Sequence, residues 1–216
     1  IELDPNNPTY WNNKGDALRI LGKYEEAIKC YDKAIELNPN EPAYWSNKGN
    51  VLYSLRKYEE SIKCYDKAIE LDPNDPTYWN NKGDALRKLG RKKAINGFWV
   101  LKDYYKEYEE AIKCYDKAIE LDPNNPTYWN NKGDALYNLS KYEEAIKCYD
   151  KVIELNPNNP EYWNMKGNAL RKLGRYEEAI KCYDKAIELN PNDPVYWENK
   201  GNAVEKLYGK RKANQF

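Results

Sequence analysis

Histidine is absent from this chain of 216 residues, and methionine occurs only once. Without histidine, the protein lacks the side chain that most often acts as a general base or a metal ligand at neutral pH. No nucleophile elbow, phosphate-binding loop or isolated pair of acidic residues takes its place. The sequence therefore predicts a protein that is not an enzyme and that holds no metal and no cofactor.

An excess of charge of either sign and long apolar runs are also missing. The chain has 35 basic and 35 acidic residues, whereas a nucleic-acid-binding protein needs a basic surface to displace counterions from phosphates. No apolar run reaches the roughly 18 residues that a membrane helix requires. The expected partner is therefore a protein or a peptide, with no nucleic acid and no membrane.

Cysteine is present but unsuited to disulfides. Each of the five cysteines occupies the same position in a repeated unit, so neighbouring thiols should lie on the order of 10 Å apart, too far for a disulfide. Free thiols fit a cytoplasmic location. The five residues are Cys30, Cys64, Cys114, Cys148 and Cys182.

The repeated unit is 34 residues long and begins at a proline. Only the third unit is longer, by 16 residues. Residues 1–7 match the end of a unit, which suggests an excerpt of a longer array. The predicted organisation is 1–7, the end of a preceding repeat; repeats at 8–41, 42–75, 76–125, 126–159 and 160–193; and 194–216, a capping helix with a basic tail.

Each unit is predicted to form two helices. In the first unit, Asn7 precedes Pro8, a pattern typical of a helix start, because asparagine caps the free N–H groups and proline needs none. Gly22 is expected to end the first helix in the left-handed conformation. A second helix is predicted from about Tyr24 to Leu37. All twelve prolines fall in the joints between helices.

These units resemble the tetratricopeptide repeat (TPR) family. The resemblance implies an all-α fold, a right-handed superhelical solenoid of stacked antiparallel helix pairs, and a protein–protein interaction function. Lys166 and Leu170 depart from the family pattern, and both departures recur in nearly every unit. An alternative is an engineered or consensus-like structural scaffold without a natural ligand, whose insertion alters assembly. The matching residues in the fifth unit are Trp163, Gly167, Ala179, Tyr183, Ala186 and Pro191.

The resemblance also implies that the first helices line a concave groove. Asparagine recurs there in two rows, interrupted at Met165, and a carboxamide both donates and accepts hydrogen bonds, so the rows could hold an extended peptide by its backbone. They resemble the asparagine ladder of the protein N-acetylglucosamine transferase. The alternative is that asparagine only hydrates the groove. The candidate groove residues are Asn12, Asn13, Asp16, Arg19, Asn47, Asn50, Tyr53, Asn81, Asp84, Arg87, Asn131, Asp134, Tyr137, Asn168 and Arg171.

Two other binding modes known from such repeats do not fit. The carboxylate clamp of co-chaperones uses lysine and arginine where this chain has Asn12, Thr77 and Asn81. The pentatricopeptide class reads RNA bases with similar helix pairs, but its units are usually one residue longer. The balanced charge of this chain also provides no attraction for RNA.

The extra residues of the third unit, Lys92–Glu107, carry a helical apolar pattern from Gly97 onward. We predict that the second helix starts about ten residues early, which adds roughly 15 Å, after a turn at Asn96-Gly97. A short hairpin at that turn is the alternative. The apolar stripe should project without a neighbouring helix to cover it. It could fold back on the first helix, bind another protein, or form a homodimer, including one by exchange of halves. The candidate contact residues are Phe98, Trp99, Leu101, Tyr104 and Tyr105.

Overall fold

The computed structural model describes residues 5–95 and 101–213, and all the regular elements within those residues are α-helices. The predicted all-α class is confirmed. The helices are α1 (Pro8–Ile20), α2 (Tyr24–Leu37), α3 (Pro42–Ser54), α4 (Tyr58–Leu71), α5 (Pro76–Ile95), α6 (Leu101–Leu121), α7 (Pro126–Asn138), α8 (Tyr142–Leu155), α9 (Pro160–Lys172), α10 (Tyr176–Leu189) and α11 (Pro194–Ala213).

The helices form two compact units, residues 1–123 with α1 to α6 and residues 124–216 with α7 to α11. In the first unit, α1 packs on α2, α3 on α4, and α5 on α6. Each pair also packs on the next one, through α2 with α3 and α4 with α5. The second unit repeats this order, ending with α10 against α11. The predicted stacking of successive helix pairs is therefore confirmed within each unit.

Capping side chains and left-handed residues set the helix ends. The Asn7 side chain accepts a hydrogen bond at 2.9 Å from the backbone N–H two residues later. Gly22 and Gly174 have φ values of 73° and 76°, as predicted for helix ends. Arg56 and Ser140 adopt the same conformation, with φ values of 59° and 60°. Because a side chain makes this conformation unfavourable, the surrounding turn must hold these two residues in it.

A tryptophan fixes the joint that precedes each of five first helices, α1, α3, α5, α9 and α11. The indole N–H of Trp11 donates to the Pro5 carbonyl oxygen, six residues earlier, at 2.8 Å. The tryptophan side chain therefore satisfies a carbonyl in the turn from which its own helix starts. The same bond measures 2.9 to 3.0 Å for Trp45, Trp79, Trp163 and Trp197.

Glycine allows the two helices of a pair to approach closely. A Cβ atom built on Gly15 would lie 2.7 Å from the ring of Tyr31, which is fully buried. An added methyl group would force the ring to move, so this position requires glycine. The same contact, at 2.6 to 2.7 Å, joins Gly49 with Tyr65, Gly83 with Tyr115, Gly133 with Tyr149, and Gly167 with Tyr183.

Ion pairs connect successive helix pairs. Lys48 on α3 binds Asp32 on α2, with 2.6 Å between Nζ and Oδ1. This lysine occupies the position of Lys166, where the sequence departs from the family pattern. The charge therefore has a structural use, although an exposed pair of this kind contributes only about 0–1 kcal/mol. Equivalent pairs are Lys82–Asp66, Lys166–Asp150 and Lys200–Asp184.

The third helix pair, α5 and α6, corrects the prediction for the insertion. Both helices are long, with 20 and 21 residues, against 13 and 14 in α1 and α2. The second helix does start early, at Leu101, but we expected this extension to project without a neighbouring helix to cover it. Instead α5 continues through Gly90, the counterpart of Gly22, and covers the start of α6. A Cβ on Gly90 would lie 3.0 Å from the Tyr108 ring, and Lys93 binds Glu107 at 2.7 Å.

The cause of this difference is that glycine ends a helix only when the following residues turn away. Here the residues after Gly90 continue the helix and meet α6, so the glycine serves close packing instead. The Tyr104 ring packs on Tyr108 at an interplanar angle of 40°, with ring centroids 4.5 Å apart, while Tyr105 remains 49% exposed. The predictions for Phe98, Trp99, the side chain of Leu101 and the turn at Asn96-Gly97 lie outside the described residues.

Candidate functional site

The predicted groove residues lie on the first helices of the pairs. We call this surface the first-helix face; it consists of α1, α3 and α5 in the first unit and of α7, α9 and α11 in the second. Neighbouring first helices touch, as in α1 with α3 and α9 with α11. The periodic placement of asparagine therefore puts amide groups of adjacent helices side by side.

The asparagine rows bond to one another between helices. In the first unit, the Asn47 amide donates from Nδ2 to Oδ1 of Asn12 at 2.9 Å. The second unit has the same bond from Asn199 to Asn164, also at 2.9 Å. An amide has two donor hydrogens and an oxygen with two lone pairs. Asn12 and Asn47, which are half-buried, therefore keep hydrogen-bonding capacity, whereas Asn164 is buried.

Buried tyrosines hold the row that alternates between aspartate and asparagine. The Tyr31 hydroxyl donates to Oδ1 of Asp16 at 2.9 Å, and Tyr65 donates to Asn50 at 2.7 Å. The buried tyrosines thus hold these predicted groove residues in place on the first helices. The sequence analysis did not predict these hydrogen bonds. The signal was nevertheless present, because each pair has a glycine directly before the aspartate or asparagine and a tyrosine on the second helix. The remaining bonds join Tyr115 to Asp84, Tyr149 to Asp134, and Tyr183 to Asn168.

The tyrosine hydroxyls are firm donors at neutral pH. Burial, followed by the hydrogen bond and charge of Asp16, raises the pKa of Tyr31 far above its ordinary value. Burial raises the pKa of Tyr183 to about 12, with Arg171 opposing the shift. The protonated hydroxyls therefore direct their hydrogens at the aspartate or asparagine oxygens.

The arginine row is paired in the first unit. Arg87 donates from one terminal nitrogen to Asp84 at 3.1 Å and from Nε to the Tyr115 hydroxyl at 3.3 Å. Arg19 lies 3.7 Å from Asp16. Aspartate thus neutralises arginine within the same helix.

Arg171 in the second unit is different, because its helix carries Asn168 in place of aspartate. In the part of the chain that the structure describes, no carboxylate pairs with Arg171, and its Nε is buried without a hydrogen-bond partner. A buried, unmatched donor is costly. Unlike Arg19 and Arg87, Arg171 therefore carries a charge that no carboxylate of the described residues offsets.

Asn130 carries a second unmatched atom, its buried Oδ1. The equivalent oxygens of Asn12 and Asn164 accept a bond from the asparagine 35 residues later. For Asn130 that position holds Met165, whose thioether has no hydrogen to donate. The interruption noted in the sequence therefore coincides with a buried acceptor that lacks its donor.

A recess of about 220 Å3 opens on the first-helix face between α3 and α5. It is lined by four of the predicted groove residues, Asn50, Tyr53, Asn81 and Asp84. Asn81 also approaches Asn50, with 3.4 Å between Nδ2 and Oδ1. The volume is smaller than that of a typical small-molecule pocket and suits a side chain of a bound segment.

The other predicted groove residues lie outside this recess. Asn13 is exposed, whereas Asn131 and Tyr137 are half-buried in the second unit. Tyr137 meets Tyr142 edge-on at 5.3 Å between centroids. A role for these three positions in binding stays a prediction.

The cysteines form no site. All five are free and buried, and burial raises the pKa of Cys64 and Cys114 to about 11, which suppresses the reactive thiolate. Among the residues described, no group of three or more acidic or cysteine side chains is placed to hold a metal ion. None of the helices in the described ranges is both long and apolar enough to cross a membrane.

Stacked two-helix units with a polar first-helix face define a helical-repeat binding scaffold. Family models agree with this class: a TPR repeat model matches residues 15–55, 49–90 and 105–140, and a second tetratricopeptide repeat model matches 130–194 and 164–207. The chain belongs to the tetratricopeptide repeat family. Members of this family serve as protein-interaction scaffolds and are typically non-catalytic.

Solved structures of TPR proteins share the fold. YrrB, described as a TPR protein with an unusual peptide-binding site, is 22% identical over 91% of this chain and 93% of its own, with a TM-score of 0.72. MamA from Desulfovibrio magneticus RS-1 is 19% identical over 89% and 99%, with a TM-score of 0.74. TTC0263 from Thermus thermophilus is 18% identical over 91% and 98%, with a TM-score of 0.65. The comparison with curated proteins gave no match.

Proposed function

We propose that this protein is a non-catalytic scaffold that binds an extended peptide segment of a partner protein on its first-helix face. The observation that carries the proposal is the recess lined by Asn50, Tyr53, Asn81 and Asp84, which lies within the row of bonded asparagines. A polar recess in a row of amides offers both backbone recognition and a place for one side chain.

The geometry of an extended chain suits this face. First helices of successive pairs lie about 10 Å apart at ordinary packing distances, and an extended chain advances about 3.4 Å per residue. Within one unit, a bound segment would therefore present a backbone group to each first helix at about every third residue. The peptide-binding site of YrrB, a protein with the same fold, supports a ligand of this class.

Selection from a library of random dodecapeptides, followed by calorimetry with a selected peptide, would test this function. The variant Asn47→Ala plus Asn81→Ala removes two amides from the face. Each hydrogen bond contributes roughly 1 kcal/mol, so we expect affinity to fall by about 10- to 30-fold.

The control is Asn74→Ala plus Asn158→Ala, which removes two exposed asparagines from turns between helices. It should bind the peptide as tightly as the unmodified protein, and both variants should keep their helical circular dichroism. Equal loss of affinity in the two variants would contradict binding at the first-helix face. Failure to select any peptide would favour the alternative of a structural scaffold without a ligand.

A second candidate function is self-association as a homodimer through the long helix pair, supported by the 49% exposure of Tyr105 on α6. Light scattering over a concentration series should show a dimer that Tyr105→Ser weakens. Tyr208→Ser, at an exposed tyrosine on α11, is the matched control. A monomer at every concentration would exclude this candidate.

A further inference from the structure

The recess on the first-helix face of the first unit continues into a larger cleft of about 650 Å3. The two share Tyr53 and Ser54 in their walls. The larger cleft lies between the end of α3, the start of α4 and the last turns of α5. The third wall comes from the extension of α5, because Arg91 and Lys92 lie on this helix after Gly90. In the first helix pair, α1 has already ended before Gly22, the counterpart of Gly90.

Positive charge dominates this cleft, which we call the cationic cleft. The described residues of its walls include the cations Arg56, Lys88, Arg91 and Lys92 and no carboxylate. None of these four cations forms an ion pair with any residue that the structure describes. Lys93, the next residue along, is by contrast bound to Glu107 at 2.7 Å. The cleft thus concentrates uncompensated charge in a chain whose net charge is zero.

Two tyrosines form the apolar part of the cleft. Tyr53 and Tyr58 meet edge-on with ring centroids 5.6 Å apart, and Lys92 places Nζ 6.0 Å from the Tyr58 ring. Tyr53 is half-buried and belongs to the recess as well. A ligand lying along the recess would therefore pass over this tyrosine pair and reach the cations.

The second unit provides an internal comparison. It has the same edge-on tyrosine pair, Tyr137 and Tyr142, at 5.3 Å. However, the counterpart of Arg56 is the neutral Ser140, and the counterpart of Arg91 is Arg175, whose guanidinium is bound to Glu178. Because α9 ends at Lys172, no helix extension adds a further cation. The concentration of unpaired charge is therefore specific to the pair that carries the extended helices.

We infer that the cationic cleft binds a cluster of carboxylates at one end of the peptide that the first-helix face holds. This inference rests on the proposed function and specifies its ligand as a segment with an acidic flank. Opposite charge on the ligand compensates the four cations and speeds association. An acidic peptide fits better than a nucleic acid, because the chain has no net positive charge to attract a phosphate backbone.

Fluorescence anisotropy with two labelled octapeptides would test the inference. One peptide alternates glutamate with serine, and the other has glutamine in place of each glutamate. With four exposed ion pairs, each about a twofold gain in affinity, we expect the glutamate peptide to bind at least about tenfold more tightly at low salt. Added salt should remove most of this preference.

The cleft variant is Lys88→Gln plus Arg91→Gln, and its control is Lys172→Gln plus Arg175→Gln, at the same positions two helix pairs later. Both variants lose two positive charges from exposed or half-exposed sites. The cleft variant should reduce the preference for the glutamate peptide to about threefold, while the control retains it. Equal affinities of the unmodified protein for the two peptides, or an equal loss in the control, would overturn the inference.

Two further arms distinguish other occupants and the underlying function. Tighter binding of an oligothymidylate than of the glutamate peptide would assign the cleft to nucleic acid, and a dimer that the cleft variant dissociates would assign it to a second copy of the chain. Either result would overturn the inference. If the variant Asn47→Ala plus Asn81→Ala bound both peptides with unchanged affinity and kept the preference for glutamate, binding at the first-helix face would be refuted and the cleft would stand. If this variant lost affinity for the glutamine peptide and the unmodified protein showed no preference for glutamate, the cleft would be refuted and the first-helix face would stand.

Discussion

Met165→Asn should restore a hydrogen bond that the second unit lacks. The Oδ1 atom of Asn130 is buried without a partner, whereas its counterpart on Asn12 accepts a bond from Asn47 at 2.9 Å. An unmatched buried acceptor costs about 1–3 kcal/mol, and a made bond contributes about 1 kcal/mol. Asparagine is a weaker helix former than methionine by a few tenths of a kcal/mol, and a half-buried thioether is lost as well. The net change in stability is therefore smaller than the bond itself.

A double-mutant cycle isolates the bond from these losses. The change in unfolding free energy caused by Met165→Asn would be measured by urea denaturation and circular dichroism, with Asn130 intact and with Asn130→Ala. The two values should differ by about 1 kcal/mol, because only the intact asparagine can accept the new bond. A reference cycle on Asn12 and Asn47, both changed to alanine, should give a coupling of similar size. A negligible coupling at Asn130, beside a clear one in the reference cycle, would refute the reasoning.

Two further predictions concern the contacts inside the helix pairs. Gly133→Ala should destabilise the protein by about 1–3 kcal/mol in thermal or urea unfolding, because the new Cβ would lie 2.7 Å from the Tyr149 ring. The control Gly201→Ala, whose Cβ would have no atom within 4 Å, should be neutral or slightly stabilising. Equal effects of the two substitutions would contradict the packing argument. The second prediction concerns the buried tyrosines that donate to aspartate or asparagine, whose pKa values are raised in the folded protein. The unfolded chain therefore loses these protons first, from about pH 10. As the pH rises above that point, the free energy of unfolding should fall by roughly 1.4 kcal/mol per pH unit for each such tyrosine. Absorbance titration of tyrosinate should then show a late group of tyrosines that ionise together with loss of helical signal; smooth ionisation of all 21 with the fold retained would contradict it.

The sequence predicted the helices well because their signals are local. Asn7 with Pro8 and the glycine at position 22 mark the ends of α1 through backbone chemistry that depends on a few neighbouring residues. The same reasoning failed at Gly90. A glycine permits a helix end without enforcing it, and the contact with Tyr108 that keeps α5 helical joins two different helices.

The candidate site was less predictable for a similar reason. Periodicity placed Asp16 and Asn47 on the first helices, but their hydrogen bonds depend on distances between helices. The bond from Tyr31 to Asp16 and the unmatched oxygen of Asn130 become visible only when the helices are packed. The cationic cleft is a further example, since it needs the extended α5 beside the end of α3. Single cations in a balanced sequence do not indicate such a cluster.

The bonds from five tryptophans to proline carbonyls have a consequence for how the chain acquires its structure. Trp11 reaches Pro5 only six residues back, so the corner closes without any contribution from a neighbouring pair. During synthesis, each of these corners can form as soon as its own tryptophan has left the ribosome. Contacts of such short range favour rapid folding, and they allow the nascent protein to grow as a series of finished turns.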